Sequence, residues 1–263
     1  MLVILPPSET KRPPPDAGPP LDLETLSFPE LTPMRQRVLE ALIATSTQPD
    51  GRRRLRLGPS LAPELARNEQ LRELPTRHAV DTYAGPLYEG LDPALWSSEL
   101  LQRADRRSVI VSALWGAIRP TDRIPAYRLH VCSWLVGMDR LEPEWRTVLP
   151  DVLASAAGAD GPVLDLRSPS YQAMGRPSGL DEQTVKLRIR PSAGGPPHIG
   201  DVVAKRVRGE AAHHLLDSPA DPEDPLDIAD VLATRWNVDI EPPNGRSRSW
   251  TLGLEADPGP GLA

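Results

Sequence analysis

Cysteine is almost missing from this chain. Cys132 stands alone in 263 residues, so no intramolecular disulfide can form and packing must hold the fold. A lone thiol fits a reducing compartment, and the expected location is cytoplasmic. Lysine is nearly as scarce, at positions 11, 186 and 205 only, so arginine carries almost all the positive charge. Phe28 is the single phenylalanine and rings make up 4% of the chain, so each Trp and Tyr marks a place worth locating. Long apolar runs are absent too. The opening MLVIL is stopped by Pro6-Pro7 and has no basic start, which excludes a signal peptide, and nothing approaches the roughly 20 apolar residues of a membrane span. A soluble protein with no membrane partner is expected.

Other absences narrow the chemistry. Five scattered histidines, without paired spacing to Cys or carboxylates, give no metal motif, and His213-His214 point apart on a helix. No phosphate-cradling or dinucleotide glycine pattern and no nucleophile elbow occurs, and Gly194-Gly195 runs into Pro196 outside any strand–turn–helix context. No cofactor is expected. The net charge of −6 argues against a uniformly basic surface. The charges are uneven, however: residues 52–56, 103–128 and 186–208 are basic, while 217–230 are acidic.

What is present reads as alternating short strands and helices over one domain, residues 1–256, with a disordered tail at 257–263. Residues 2–5 read as a buried strand ending in Ser8-Glu9-Thr10-Lys11. Apolar spacing predicts helices from Thr32, over 62–74, 93–102 and 144–153 (where Pro150 limits or kinks the pattern), and over 226–236. Leu95 and Trp96 are expected on the buried side of the third. Strands are predicted at 110–112, 163–166, 184–190 and 199–203, with closing strands at 236–240 and 249–254 joined by a turn at Pro243-Asn244-Gly245. The 184–190 stretch alternates Val185, Leu187 and Ile189 with Lys186, Arg188 and Arg190, giving a basic outer face.

The chain is organised around residues 109–129, VIVSALWGAIRPTDRIPAYRL. An apolar strand enters a small-residue turn, followed by Arg119, Asp122, Arg123, Tyr127 and Arg128, with Pro120 and Pro125 forbidding a continuous helix. Such a loop is costly to order unless its cations meet a phosphate, a carboxylate or a base. Three times a short strand ends in a polar cluster, at Ser8, Ser112 and Arg167. If those strands are neighbours in one sheet, the clusters meet on one rim.

The set PPSETK, YAGPLYEGL, SALWGAIRPTDRIPAYRL, LDLRSPSY and AKRVRG, in that order from residue 2 to about 254, resembles the YaaA family of peroxide-stress proteins. The resemblance implies an α+β fold, a mixed β-sheet with flanking helices and a positively charged cleft. It also implies a cytosolic protein that binds DNA and limits free iron, and so DNA damage, under hydrogen peroxide. Carried over by position, the cleft would be built from Pro7, Ser8 and Lys11, then Tyr83, Gly85 and Tyr88. Gly116, Arg119, Pro120, Asp122, Tyr127 and Arg128 would follow, and Ser168, Tyr171, Lys205, Arg208 and Gly209 would complete it. Thr10 stands where members often have Gly, and Trp115 where Tyr is more usual.

Three readings of these residues stay open. In the first, Arg119, Arg128, Lys205 and Arg208 meet the phosphates of duplex or bubble DNA and Tyr83 or Tyr88 stacks on a base. In the second, the chain is an enzyme acting on a nucleotide or other phosphorylated or anionic small molecule. Lys205 would then be an amine nucleophile, Asp122 or Glu9 a proton carrier and the arginines an anion clamp. In the third, Asp122 with Arg119 or Arg128 forms internal ion pairs that fix the loop. Any effect on iron would be indirect.

Overall fold

The computed structural model describes residues 1–158, 161–192, 198–244 and 247–256. Gly194-Gly195, Gly245 of the expected turn and the 257–263 tail lie outside them. Among the described residues nine strands occur in chain order: β1 (Leu2–Leu5), β2 (Arg77–His78), β3 (Ser108–Ser112), β4 (Gly116–Ile118), β5 (Arg123–Ile124), β6 (Val163–Asp165), β7 (Thr184–Pro191), β8 (Val238–Glu241) and β9 (Trp250–Ala256). Seven form one mixed sheet in the order β4-β3-β1-β6-β7-β9-β8, and β2 pairs with β5 in a small ribbon. The five inner strands are parallel, and the edge strands β4 and β8 run antiparallel to their neighbours. The expected mixed sheet with flanking helices is therefore present. β1 is buried at all four positions, as a continuous apolar run covered on both faces should be.

The chain leaves β1, returns as β3 on one side, and later as β6 on the other. The strand order thus reverses at β1, and the crevice beyond the C-terminal ends of β1 and β6 is a topological switch point, the usual ligand position in such sheets. The three polar strand-end clusters open on this one rim.

Several expected elements change. The 199–203 strand does not form: Gly200 is extended, and the helix Asp201–Asp217 begins directly after it. Asp201 favours the positive end of that helix, and Val202 is half exposed rather than in a core. The 93–102 helix is a 3-10 turn, Pro93–Leu95, followed by the Ser97-capped helix Ser98–Arg107, which leaves Leu95 on the surface. The 62–74 helix is shorter, Pro63–Glu69. The 144–153 pattern splits into Leu141–Arg146 and Leu149–Ala157, with Pro150 accommodated in the first turn of the second.

The glycines of YEG and VRG have a packing role. The helix Pro86–Leu91 crosses the helix Asp201–Asp217 so closely that a Cβ on Gly209 would lie 1.9 Å from the Leu87 carbonyl oxygen. One on Gly90 would lie 2.0 Å from that of Arg206. The crossing fixes Tyr88, whose hydroxyl donates to the Pro6 carbonyl at 2.9 Å, against the end of β1. Gly209→Ala should overpack this contact by about 1–3 kcal/mol. Its thermal midpoint should fall by several degrees, at about 2–4 °C per kcal/mol for a chain of this size. Gly58→Ala, where φ is −64° and nothing lies within 4 Å, should leave the midpoint unchanged.

Candidate functional site

The 109–129 stretch is held from within rather than by a ligand. Residues 108–118 form the β3–β4 hairpin, whose Gly116 adopts φ +64° with Trp145 packed against it; a Cβ there would lie 2.5 Å from the indole. The Trp145 indole N–H donates to the Ala113 carbonyl at 2.8 Å. Arg35, fully buried, donates to the carbonyls of Trp115 (2.9 Å), Ala117 (2.7 Å) and Ser27 (2.7 Å). Burial lowers its pKa to about 10 although Asp122 favours the cation. Asp122 is buried and accepts from the Ser27 N–H (3.0 Å), the Ser27 hydroxyl (2.9 Å) and the Arg119 N–H (2.8 Å). Desolvation raises its pKa, and those hydrogen bonds oppose the rise. Arg119 donates to the carbonyls of Arg106 (3.1 Å) and Ser108 (3.0 Å) and lies over the Phe28 ring. The loop is thus tied internally, but not by the expected ion pairs: Asp122 takes the Arg119 N–H and Ser27, the Arg119 guanidinium goes to carbonyls, and Arg128 pairs with Glu9.

Beyond β5 the loop delivers Tyr127 and Arg128 to the switch point. Asn68, fully buried, clamps Arg128 by donating to its carbonyl (2.8 Å) and accepting from its N–H (2.9 Å). The Arg128 guanidinium meets the Glu9 carboxylate at 3.2 Å and donates to the Glu9 carbonyl at 2.8 Å. From the β6 side, Arg167 makes a buried two-bond pair with Asp165 (2.9 and 2.8 Å) and donates to the carbonyls of Tyr171 (3.3 Å) and Gly175 (2.9 Å). That pair holds Tyr171 over the rim, its hydroxyl 3.5 Å from Glu9.

Lys11 lies at the centre. Its Nζ is 4.1 Å from the centroid of the Tyr127 ring and 5.6 Å from that of Tyr83, and its closest hydrogen-bond acceptor is the Glu9 carbonyl at 3.5 Å. Tyr83 bonds Tyr127 hydroxyl to hydroxyl at 2.9 Å and stacks on Tyr88 at 5.2 Å. Tyr83 and Tyr127 thus face the amine, with Tyr88 stacked on Tyr83 and Tyr171 reaching Glu9, and burial raises the pKa of all four. Desolvation is the largest influence on Lys11 and lowers its pKa to about 7; Glu9 opposes the shift and Arg128 adds to it. Tyr83 and Tyr88 are buried against each other, so neither offers the free face that stacking on a base requires.

The remaining expected residues lie elsewhere on the rim. Ser8 is partly buried, with its hydroxyl close to Gly85, which has φ +103°. Ser168 is exposed and its hydroxyl faces that of Ser170 at 3.3 Å. Lys205 is half exposed and pairs with Asp201 at 2.6 Å, one turn earlier on the same helix. Arg208 projects into an open recess of about 380 Å³ with Arg176 and Lys186, floored by the Asp165–Arg167 pair. None of these three cations makes a hydrogen bond or ion pair among the described residues. Burial lowers the Arg208 pKa, with Asp201 opposing. A larger recess, about 610 Å³, lies by residues 179–183 with Pro243, Asn244, Ser247 and Arg248 at the opposite rim, where β7 and β9 begin.

The reading by residue type missed Arg35, Asn68, Arg176 and the clustering of Lys186 with Arg208. Arg35 was signalled by position, since it shares a helical face with Val38, Leu39 and Leu42. Asn68 gave no comparable signal. Among the described residues no group of three His, Cys, Asp or Glu could hold a metal ion, and no helix is long and apolar enough to cross a membrane.

A mixed α/β sheet with a desolvated amine and a cationic recess on its C-terminal rim defines the class. Comparison with known proteins then places the chain. A family model described as peroxide stress protein YaaA matches residues 1–239, so the chain belongs to the YaaA peroxide-stress family. It is 36% identical over 258 residues to a UPF0246 protein of Streptomyces coelicolor, covering 96% of this chain and 97% of that one. To a UPF0246 protein of Corynebacterium efficiens it is 38% identical over 257 residues, covering 96% and 99%.

The Lys11 environment has a consequence for stability. An unfolded lysine titrates near 10.4, so between about 7 and 10 the unfolded chain binds more protons than the folded one, and stability rises with pH across that window. The unfolding free energy of the native chain minus that of Lys11→Met, from urea melts, should therefore be flat below about pH 6 and climb between pH 7 and 10. A difference independent of pH would show that Lys11 titrates normally.

Proposed function

We propose that this chain acts in the cytosol under hydrogen peroxide stress by binding DNA, helping to limit free iron and DNA damage. The observation that supports this reading is the recess lined by Arg176, Lys186 and Arg208, three cations without an internal partner on the C-terminal rim. Unpaired guanidinium and ammonium groups lining one concavity are suited to the non-bridging oxygens of successive phosphates. Lys205, three residues before Arg208 on the same helix, extends the patch; its surface pair with Asp201 is worth little and can be exchanged for a phosphate. With the tyrosines buried, contacts are to backbone phosphates, and affinity should depend little on base sequence. Nothing in this reading requires the chain to ligate iron.

The same recess suits a second occupant, a nucleotide or other phosphorylated small molecule, because its volume of about 380 Å³ falls within the range of small-molecule sites.

Titration of fluorescent duplex and bubble DNA across 25–200 mM salt tests both. Affinity should fall steeply with salt, and Arg176→Ser, Lys186→Ser and Arg208→Ser should each reduce the slope of log K against log salt by about one. No binding at the lowest salt contradicts the DNA reading. DNA affinity unchanged in all three variants moves any DNA contact to another face.

A further inference from the structure

Lys11 does not contribute to the phosphate-binding recess, and its surroundings do not suit a charge contact. Its Nζ has no carboxylate within 4.0 Å among the described residues, because Glu9 turns its carboxylate to Arg128. Its one hydrogen bond, at 3.5 Å to a carbonyl, is at the limit of that interaction. The groups facing it are Glu9 and Arg128, the Glu64–Arg67 pair of the helix Pro63–Glu69, and the rings of Tyr83 and Tyr127. Each nearby carboxylate is thus matched by an arginine; the Tyr127 and Tyr83 ring faces favour an ammonium, and desolvation, the largest influence, disfavours it. The residue remains partly exposed, so a solute can reach it.

We propose that Lys11 is a nucleophilic amine at the rim beyond the ends of β1 and β6, and that it joins a small aldehyde or ketone to itself as an imine. Three features carry this assignment: an amine without a counter-ion, a desolvated aromatic wall, and a position at the switch point of the sheet. In the first step the nitrogen lone pair forms a C–N bond to the carbonyl carbon, and the π pair moves to oxygen. One N–H proton passes to that oxygen and gives the carbinolamine. The nitrogen pair then forms C=N as the C–O bond breaks, and the second N–H proton leaves with the oxygen as water. One amine and one carbonyl thus give one imine and one water, with no oxidant or reductant. The Tyr83–Tyr127 hydroxyl pair, protonated at neutral pH, can both donate and accept a proton in this transfer. This chemistry is independent of DNA binding and was looked for, on residue type alone, at Lys205. There the side chain is solvated and paired with Asp201.

The scarcity of lysine makes the test direct. The full chain is treated with benzaldehyde and cyanoborohydride at pH 5–10, and peptide mass spectrometry reads the adduct at Lys11, Lys186, Lys205 and the Met1 amine separately. At pH 7 an amine titrating near 7 is half neutral, against roughly 1 in 2,500 for an ordinary lysine. Allowing for its weaker basicity, Lys11 should be labelled at least about tenfold faster than Lys186 and Lys205. Its rate should level off above about pH 8, and it should saturate with benzaldehyde while theirs stays linear. Labelling at Lys11 no faster than at the other two lysines, or linear in benzaldehyde, overturns the assignment. The native chain serves as its own control, so no variant needs to fold.

Discussion

A buried guanidinium fixes the functional rim of this protein. Arg35 is out of contact with water and donates from Nε and Nη2 to three backbone carbonyls on two segments, the β3–β4 hairpin and Ser27, leaving Nη1 without a partner. Asp122 completes the arrangement from the other end of the loop, accepting from Ser27 and Arg119. A loop interrupted by prolines cannot satisfy its own backbone groups, and burying them unpaired would cost a few kcal/mol each. Arg35 and Asp122 supply the missing partners. Everything downstream, including β5, Tyr127 and Arg128, takes its position from that tie.

The crevice follows from this constraint together with two others. The Gly90–Gly209 helix crossing presses Tyr88 onto the end of β1, and the Asp165–Arg167 pair sets Tyr171 from the opposite side. Lys11, carried out of β1 past Pro6-Pro7, then enters a space whose walls are rings and whose carboxylate already has an arginine. Its lowered pKa is a result of those placements, not of any feature of its own segment. The recess at Arg176, Lys186 and Arg208 differs in kind, since its cations make no hydrogen bond or ion pair among the described residues. One rim thus carries a site suited to phosphate and a site suited to neutral-amine chemistry.

Much of the framework was legible in the residues. Continuous apolar runs marked β1, β3 and β6, and alternation marked β7 with its basic side chains, because strand periodicity is local. The meeting of three strand-end clusters on one rim also followed from those runs. The 199–203 segment misled because Ile199, Val202 and Val203 are as apolar as a strand, while Gly200 and Asp201 set a helix start instead. The roles of individual cations were harder to read. Arg119 and Arg208 look alike in sequence, yet one is spent on carbonyls and the other is unpaired, a difference set by neighbours more than ten residues away in the chain. The glycines beside Tyr88 and Arg208 serve the close approach of one helix to another, a pairing that local spacing does not show.

The central claim is that packing alone leaves Lys11 a neutral amine near physiological pH. With three lysines in the chain, uniform [15N]lysine labelling gives three side-chain resonances, and Lys11→Arg identifies the one that disappears. Titrated from pH 5 to 11, the Lys11 resonance should have its midpoint near 7. A Lys11 midpoint above about 9.5 would contradict the account.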